Sequence, residues 1–178
     1  MRIISGTQKR TLLYEPKTKN IRPTTDRAKE ALFNLIGLKV QNSVFIDLFS
    51  GTGAIALEAK SRGAKEVYAI DKALESIELI QKNSQKSKLK LNIIKNDVLT
   101  FLKNCQVQAN IIFLDAPFNV EDNKIIQIID IILVQEILKV DGTLIIERQS
   151  KKENEEIFSK YKNIRIKKYG KISFIIME

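Results

Sequence analysis

Four aspartates stand where short apolar runs end: Asp47 closing Val44-Phe45-Ile46, Asp71 after Ala69-Ile70, Asp97 after Leu91 to Lys95, and Asp115 after Ile111-Ile112-Phe113-Leu114. The last opens the tetrapeptide Asp115-Ala116-Pro117-Phe118, whose residue types are able to hold a conjugated amine. An exocyclic amine on a purine is a poor nucleophile because its lone pair is delocalised into the ring. A carboxylate beside a backbone carbonyl can accept both of its N–H bonds, favour pyramidalisation and free that lone pair. Asp115 and the carbonyl of Ala116 are the candidate acceptors. Pro117 restricts Ala116 to an extended conformation, which aims the carbonyl. Phe118 offers a face on which a flipped-out base can stack. Group transfer to such an amine is a direct displacement helped by positioning, and it needs no covalent enzyme intermediate. The plainer reading is a strand end followed by a proline turn.

The run Asp47-Leu48-Phe49-Ser50-Gly51-Thr52-Gly53 is the candidate cofactor turn. Gly51 and Gly53 let the backbone turn tightly and approach a ligand without a Cβ in the way, and the following helix presents free N–H groups. Asp71, 20 residues beyond Gly51, can accept hydrogen bonds from ribose hydroxyls, and Asn96-Asp97 can read an adenine amine. Gly51-x-Gly53-x-x-Ala56 also satisfies a relaxed dinucleotide motif, so NAD remains an alternative. Asp47 favours S-adenosylmethionine: it can face the cationic amino group of a methionine moiety, whereas a carboxylate beside a pyrophosphate would repel it.

The elements that must position these groups alternate. The pattern predicts an arm or hairpin over Arg2 to Glu15 turning near Gly6, and an extended lead-in at Arg22-Pro23-Thr24-Thr25. A helix capped by Thr25 or Asp26 runs to Leu38. Strands follow at Val44–Leu48, Glu66–Ile70, Leu91–Lys95, Ile111–Leu114 and Thr143–Glu147. Helices fall at Ala54–Ser61, Leu74–Ser84, Val98–Leu102, Lys124–Leu138 and Glu153–Ser159. Two final strands, Asn163–Lys168 and Ile172–Met177, flank Gly170 and read as an antiparallel pair. This is an α/β chain with a mostly parallel sheet covered on both faces. It reads as one domain over residues 1–178 with a basic arm over about the first 25.

Composition narrows the chemistry. The chain has no histidine and one cysteine, Cys105, which excludes Cys/His zinc sites, histidine bases and intramolecular disulfides; Cys105 reads as an inert apolar residue. The apolar opening is too short for a signal peptide, and no uninterrupted apolar run is long enough to span a bilayer. The expectation is a cytoplasmic protein, and nothing demands more than a monomer. The net charge of +9 is uneven. Residues 1–40 hold nine Lys/Arg against three Asp/Glu, and residues 151–178 hold eight against four, whereas residues 41–150 are near balance. A polyanion gripped by the ends, with chemistry in the middle, would give this pattern; so would ordinary solvated lysines.

Asp115-Ala116-Pro117-Phe118 resembles the (Asp/Asn)-Pro-Pro-(Phe/Tyr) motif of methyltransferases that act on conjugated amines, with Ala116 in place of the usual first proline. Arg2-Ile3-Ile4-Ser5-Gly6, the run from Arg22-Pro23-Thr24-Thr25-Asp26-Arg27 to Asn34, Asp47 to Gly53, Glu58, Ser61-Arg62-Gly63-Ala64 and Lys168-Tyr169-Gly170 closely resemble the bacterial 16S ribosomal RNA guanine-N2 methyltransferases that modify guanine 966. The resemblance covers nearly the whole chain. It implies a Rossmann-like methyltransferase fold of seven strands in order 3-2-1-4-5-7-6 with the last strand antiparallel, S-adenosyl-L-methionine as donor and N2-methylguanosine as product. It also implies 16S rRNA, a small subunit or an assembly intermediate as partner. Carried over, Asp47, Gly51, Gly53, Asp71 and Asp97 hold the donor, with Phe49 in the same turn, and Asp115 and Phe118 hold the base. Arg2, Lys9, Arg10, Arg22 and Arg27 are placed to meet phosphates, although Arg22 and Arg27 could instead pair with Asp26 or Glu30. Phe33 reads as core, and Tyr169 as core or pocket lining, leaning to core. The rivals are an amine methyltransferase acting on DNA adenine or protein glutamine, an NAD(P)-dependent oxidoreductase, and a non-enzymatic RNA-binding protein that kept the fold.

Overall fold

The structure is a computed structural model and describes residues 1–16 and 24–178. Arg22 and Pro23 lie outside the described residues, so their assigned lead-in and phosphate roles are not addressed by it. In chain order the elements are α1 (Asp26–Ile36), β1 (Val44–Leu48), α2 (Ala54–Ser61), β2 (Glu66–Asp71), α3 (Leu74–Ser87), β3 (Asn92–Lys95), α4 (Val98–Lys103), β4 (Ala109–Leu114), α5 (Asp122–Val134), β5 (Leu138–Gln149), α6 (Glu153–Phe158), β6 (Ile164–Tyr169) and β7 (Ile172–Met177). The seven strands form one sheet in the order β3-β2-β1-β4-β5-β7-β6. The first five are mutually parallel, and β7 runs antiparallel to both β5 and β6. This is the Rossmann-like methyltransferase arrangement expected from the sequence. Strand order reverses at β1 and β4, which is where ligands bind in such sheets.

Strand alternation divides the core into two layers. Ile46, Leu48, Ile112, Leu114, Leu144 and Ile146 face α4, α5 and Phe158 of α6. Phe45, Phe113, Ile145, Phe174 and Ile176 face α1 and α2 through Leu32, Phe33, Ile36, Ile55 and Ala59. Phe33 is buried and stacked on Phe45, as expected of a core residue. By the same alternation Asp47 and Asp115 continue the row of Phe45 and Phe113, and so lie on the α1/α2 face.

The N-terminal hairpin is present. Arg2 bridges Leu12, Ile3 exchanges backbone hydrogen bonds with Thr11 and Arg10, and the chain turns through residues 5–10. It docks on α2 largely through main-chain groups. The buried Glu58 accepts from the N–H groups of Ile4 (2.7 Å) and Ser5 (2.9 Å), and Ser61 both donates to the Ser5 carbonyl and accepts from the N–H of Gln8. The buried Lys29 ammonium donates to the carbonyl of Arg2 and lies 3.8 Å from Glu58, whose other oxygen takes the Arg62 guanidinium at 2.7 Å. Desolvation draws the Lys29 pKa down, and Glu58 and Asp26 partly offset this. Ile3 and Leu13 fill an apolar pocket with Ala54, Leu57 and Leu89.

Two boundaries differ from expectation. α1 stops at Ile36 rather than Leu38 because Gly37 takes a left-handed φ of 59° and donates back to Phe33, with a 3-10 turn following. α5 stops at Val134, and Leu138 begins β5 instead of ending the helix. Glu136 at φ 51° and the Ile137 N–H donating to Ile132 close the helix, after which Ala109 pairs with Leu138. The run Ile125 to Leu138 stays rich in apolar residues across this boundary, with only Gln127, Asp130, Gln135 and Glu136 interrupting it, so periodicity alone does not separate buried helix from buried strand. Among the described residues no helix is long and apolar enough to cross a membrane.

Candidate active site

The carboxyl ends of β1, β2 and β4 bring three of the four aspartates to one edge. Beyond β1 the chain turns at Phe49 (φ 64°), Gly51 (φ 52°) and Gly53 (φ 75°) before entering α2. A Cβ on Gly53 would meet Ile80 of α3 at 3.0 Å, so this glycine also permits close helix packing. The turn is tied to β2: the Ser50 N–H donates to the Ile70 carbonyl (2.9 Å) and the Gly51 N–H to Asp71 Oδ2 (2.9 Å). Asp71 Oδ1 takes the Ala73 N–H at 2.9 Å. Each Asp71 oxygen thus carries one backbone hydrogen bond, which fixes the carboxylate and leaves lone pairs for ribose hydroxyls.

Asp47 is buried, with Oδ2 accepting from the Ala56 N–H at 3.1 Å. Its pKa is raised well above the ordinary carboxylate value. Burial contributes most and the nearby Asp115 next; Asp71 adds to it, and hydrogen bonds from Ser50 and Ala56 work the other way. A buried acid repelled by two others is a site that gains from a bound cation, such as the amino group of a methionine moiety. The residues therefore fit S-adenosylmethionine: cation-seeking Asp47, a glycine turn open to a ligand, and a fixed Asp71.

Asp97 occupies a different position. It caps α4, accepting from Leu99 N (2.9 Å) and Thr100 N (3.4 Å), with Lys124 at 3.9 Å from Oδ2. Its side chain remains 41% exposed, so one oxygen can still face a ligand while the other serves the helix.

The Asp115 N–H donates to the Leu48 carbonyl at 3.4 Å, joining the loop after β4 to the end of β1. Ala116 is buried in the apolar core, while Pro117 and Phe118 project outward, the Phe118 ring 38% exposed. The Val120 N–H donates to the Pro117 carbonyl at 2.9 Å and closes the turn. Arg148 of β5 holds its far end, donating to the Val120 carbonyl at 3.4 Å and to Asp122 at 2.5 Å. Sequence reasoning missed Arg148, because one basic residue at a strand end gives no signal. It also missed the buried Asn83 of α3, which accepts from the Tyr14 N–H (2.7 Å) and donates to the carbonyls of Tyr14 and Thr52. This one amide links the arm to the glycine turn.

Of the candidate RNA contacts, Lys9 and Arg10 are exposed on the hairpin turn and Arg27 on α1. Arg2 is exposed but paired with Asp26 at 3.1 Å, so Asp26 serves Arg2 and Lys29 rather than Arg27. Tyr169, read as leaning to core, is 39% exposed. It ends the edge strand β6, where its ring meets Phe174 edge-on. Cys105 is half-buried, and burial pushes its thiol up. Among the described residues no cluster of acids or cysteine could hold a metal.

Comparison with known proteins agrees with this geometry. The model of the family described as Conserved hypothetical protein 95 matches residues 1–178. The ribosomal RNA small subunit methyltransferase D of Buchnera aphidicola (subsp. Baizongia pistaciae) is 34% identical over 84% of this chain and 76% of its own length. Its namesake in Haemophilus influenzae is 32% identical over 85% and 80%. The solved Thermus thermophilus 16S rRNA N2 G1207 methyltransferase, in complex with AdoMet and guanosine, shares the fold with a TM-score of 0.71 at 22% identity, over 87% of this chain and 43% of that one. The chain belongs to the Conserved hypothetical protein 95 family, which includes the ribosomal RNA small subunit methyltransferases D.

Proposed function

We propose that this chain transfers a methyl group from S-adenosylmethionine to the exocyclic N2 of a guanine in 16S ribosomal RNA, with the residues assigned as follows. The observation that carries the assignment is the adjacency of Asp115 and Asp47 at the switch point between β4 and β1. It supports reading Asp115 as the carboxylate for the target amine and Asp47 as the one for the donor's cation.

When bound, S-adenosylmethionine supplies an electrophilic methyl group on a sulfonium. Asp47 would receive the methionine amino group, the turn from Phe49 to Gly53 would hold the donor, and Asp71 would accept from its ribose. Asp97 can reach the adenine end. Asp115 and the carbonyl of Ala116 accept the two N–H bonds of the guanine amine, and Phe118 stacks on the base. With that methyl group as electrophile, the amine held by Asp115 and the Ala116 carbonyl would be the nucleophile, and Asp115 or water would take the one proton that it releases. Positioning carries most of the acceleration. Lys9, Arg10 and Arg27, with Arg2 and Arg22, meet the RNA backbone, which gives affinity without sequence choice.

The experiment is transfer of labelled methyl to small ribosomal subunits that lack this modification, followed by mapping of the labelled nucleotide. Label on one guanine N2 supports the reading; transfer to another base or to protein, or none with any ribosomal substrate, rejects it.

A further inference from the structure

Beside the catalytic loop a second concavity opens between the start of α1 and the β6–β7 turn. Its volume is about 190 Å3, and its lining includes Thr25, Arg27, Glu147, Tyr169 and Lys171. Strand register fixes its position. Leu114 of β4 pairs with Ile146 of β5, so the next residues, Asp115 and Glu147, are level on neighbouring strands, roughly 5 Å apart at sheet spacing. Glu147 continues the row of Ile145, as Asp115 continues that of Phe113, so both rise on the α1/α2 face. The concavity therefore adjoins the candidate base site on one continuous edge.

Its chemistry differs from that of the base site. Arg27 and Lys171 are exposed, and neither has an ion-pair partner among the described residues. They come from the two basic ends of the chain, which the fold brings together here. Tyr169 meets Phe174 edge-on, with ring centroids 5.6 Å apart and planes at 60°, which fixes the ring while 39% of the residue stays exposed. Two cations beside a fixed, half-exposed aromatic ring suit an unpaired nucleotide: the ring takes the base and the cations take its phosphate. The buried Glu147 at the floor suits a base N–H and disfavours a phosphate there, which leaves the phosphate to the rim.

We infer that this cleft receives a nucleotide flanking the target guanine, its base against Tyr169 and its phosphate between Arg27 and Lys171. The inference rests on the proposed reading of the chain as an RNA methyltransferase. The cleft thereby helps select an unpaired, splayed target strand, which phosphate contacts by Lys9 and Arg10 alone do not.

The test uses the full chain with undermethylated small subunits, and separately a short fluorescent single-stranded RNA in direct binding. Arg27→Ala with Lys171→Ala should raise KM for subunits about tenfold, leave kcat and donor affinity at wild-type values, and flatten the salt dependence of RNA binding by about 0.7 of a unit of slope, as loss of one phosphate contact on a single strand requires. Tyr169→Leu keeps an apolar contact for Phe174 but removes the aromatic face, and should raise KM roughly fivefold or more; Tyr169→Phe should restore it. Unchanged KM and salt slope in the double variant, with active wild type, overturn the cleft and leave the methyl-transfer reading intact. If wild type methylates no ribosomal substrate yet the variants still lose RNA binding, the cleft stands and the methyl-transfer reading falls. Loss of folding in Tyr169→Leu, read by circular dichroism, leaves the Arg27/Lys171 result to decide.

Discussion

Asp47 and Asp115 stand diagonally across the parallel neighbours β1 and β4, with Asp47 level with Phe113 and the Asp115 N–H donating to the Leu48 carbonyl. Their repulsion, added to the burial of Asp47, raises the Asp47 pKa well above the ordinary carboxylate value. The folded chain therefore keeps a proton there that the unfolded chain has released. Stability should fall as pH rises from the ordinary value through the raised one and level off above it. Asp47→Asn should remove that slope and raise the melting temperature near neutral pH, as thermal unfolding across pH would show. A slope that persists in the variant would locate the titration elsewhere.

Donor binding should show the opposite dependence. A cationic amino group favours ionised Asp47, so affinity should rise with pH through the same window, and binding below the raised pKa should release a proton. Calorimetry in two buffers of different ionisation enthalpy reads that proton directly. Equal heats in both would remove Asp47 from the donor site.

Asp115→Ala should reduce methyl transfer at least a hundredfold, within the usual range for a group that acts on the reacting atom. Donor affinity should hold or rise, because the variant removes a negative neighbour of Asp47. Transfer at a wild-type rate would reassign the base site.

Asn83→Ala leaves a backbone donor at Tyr14 and a carbonyl at Thr52 without their buried partner. The expected cost is about 2 kcal/mol or more, seen as a lower denaturation midpoint. Because the same amide meets the glycine turn, donor affinity should also weaken severalfold. A stability loss with donor affinity intact would mean that the arm and the turn are independent.

Gly6→Ala should detach the hairpin: a Cβ there would lie 1.8 Å from the Ser61 carbonyl oxygen, at a φ of 85°. Faster proteolysis within residues 1–13 and weaker RNA binding, with near-normal donor affinity, are the expected signs.

Much of this site is legible in the sequence because parallel strands deliver their last residues to a common edge. An acid after an apolar run is then a position, and Asp47, Asp71 and Asp115 could be placed by that reasoning alone. Asp97 shows its limit, since an acid before a helix is equally a cap, and here it is one. Arg148 and Asn83 were not legible. Their partners, Asp122 and Tyr14 with Thr52, are far away in sequence and joined only by the fold. The boundary between α5 and β5 falls in a run whose apolar residues continue on both sides of Gln135-Glu136, and the choice between core and pocket lining for Tyr169 depends on which strand lies at the sheet edge.

Glu58 and Ser61 grip the arm by its main chain, through the N–H groups of Ile4, Ser5 and Gln8 and the carbonyl of Ser5. Such a grip is indifferent to most side chains it passes. Lys9 at the turn can therefore be exchanged while the docking stays the same, and Arg10, at a φ of 72°, for a residue that tolerates that backbone, so a chain of this design can retune the charge its arm presents by changing a few exposed letters, without refitting the joint that carries them.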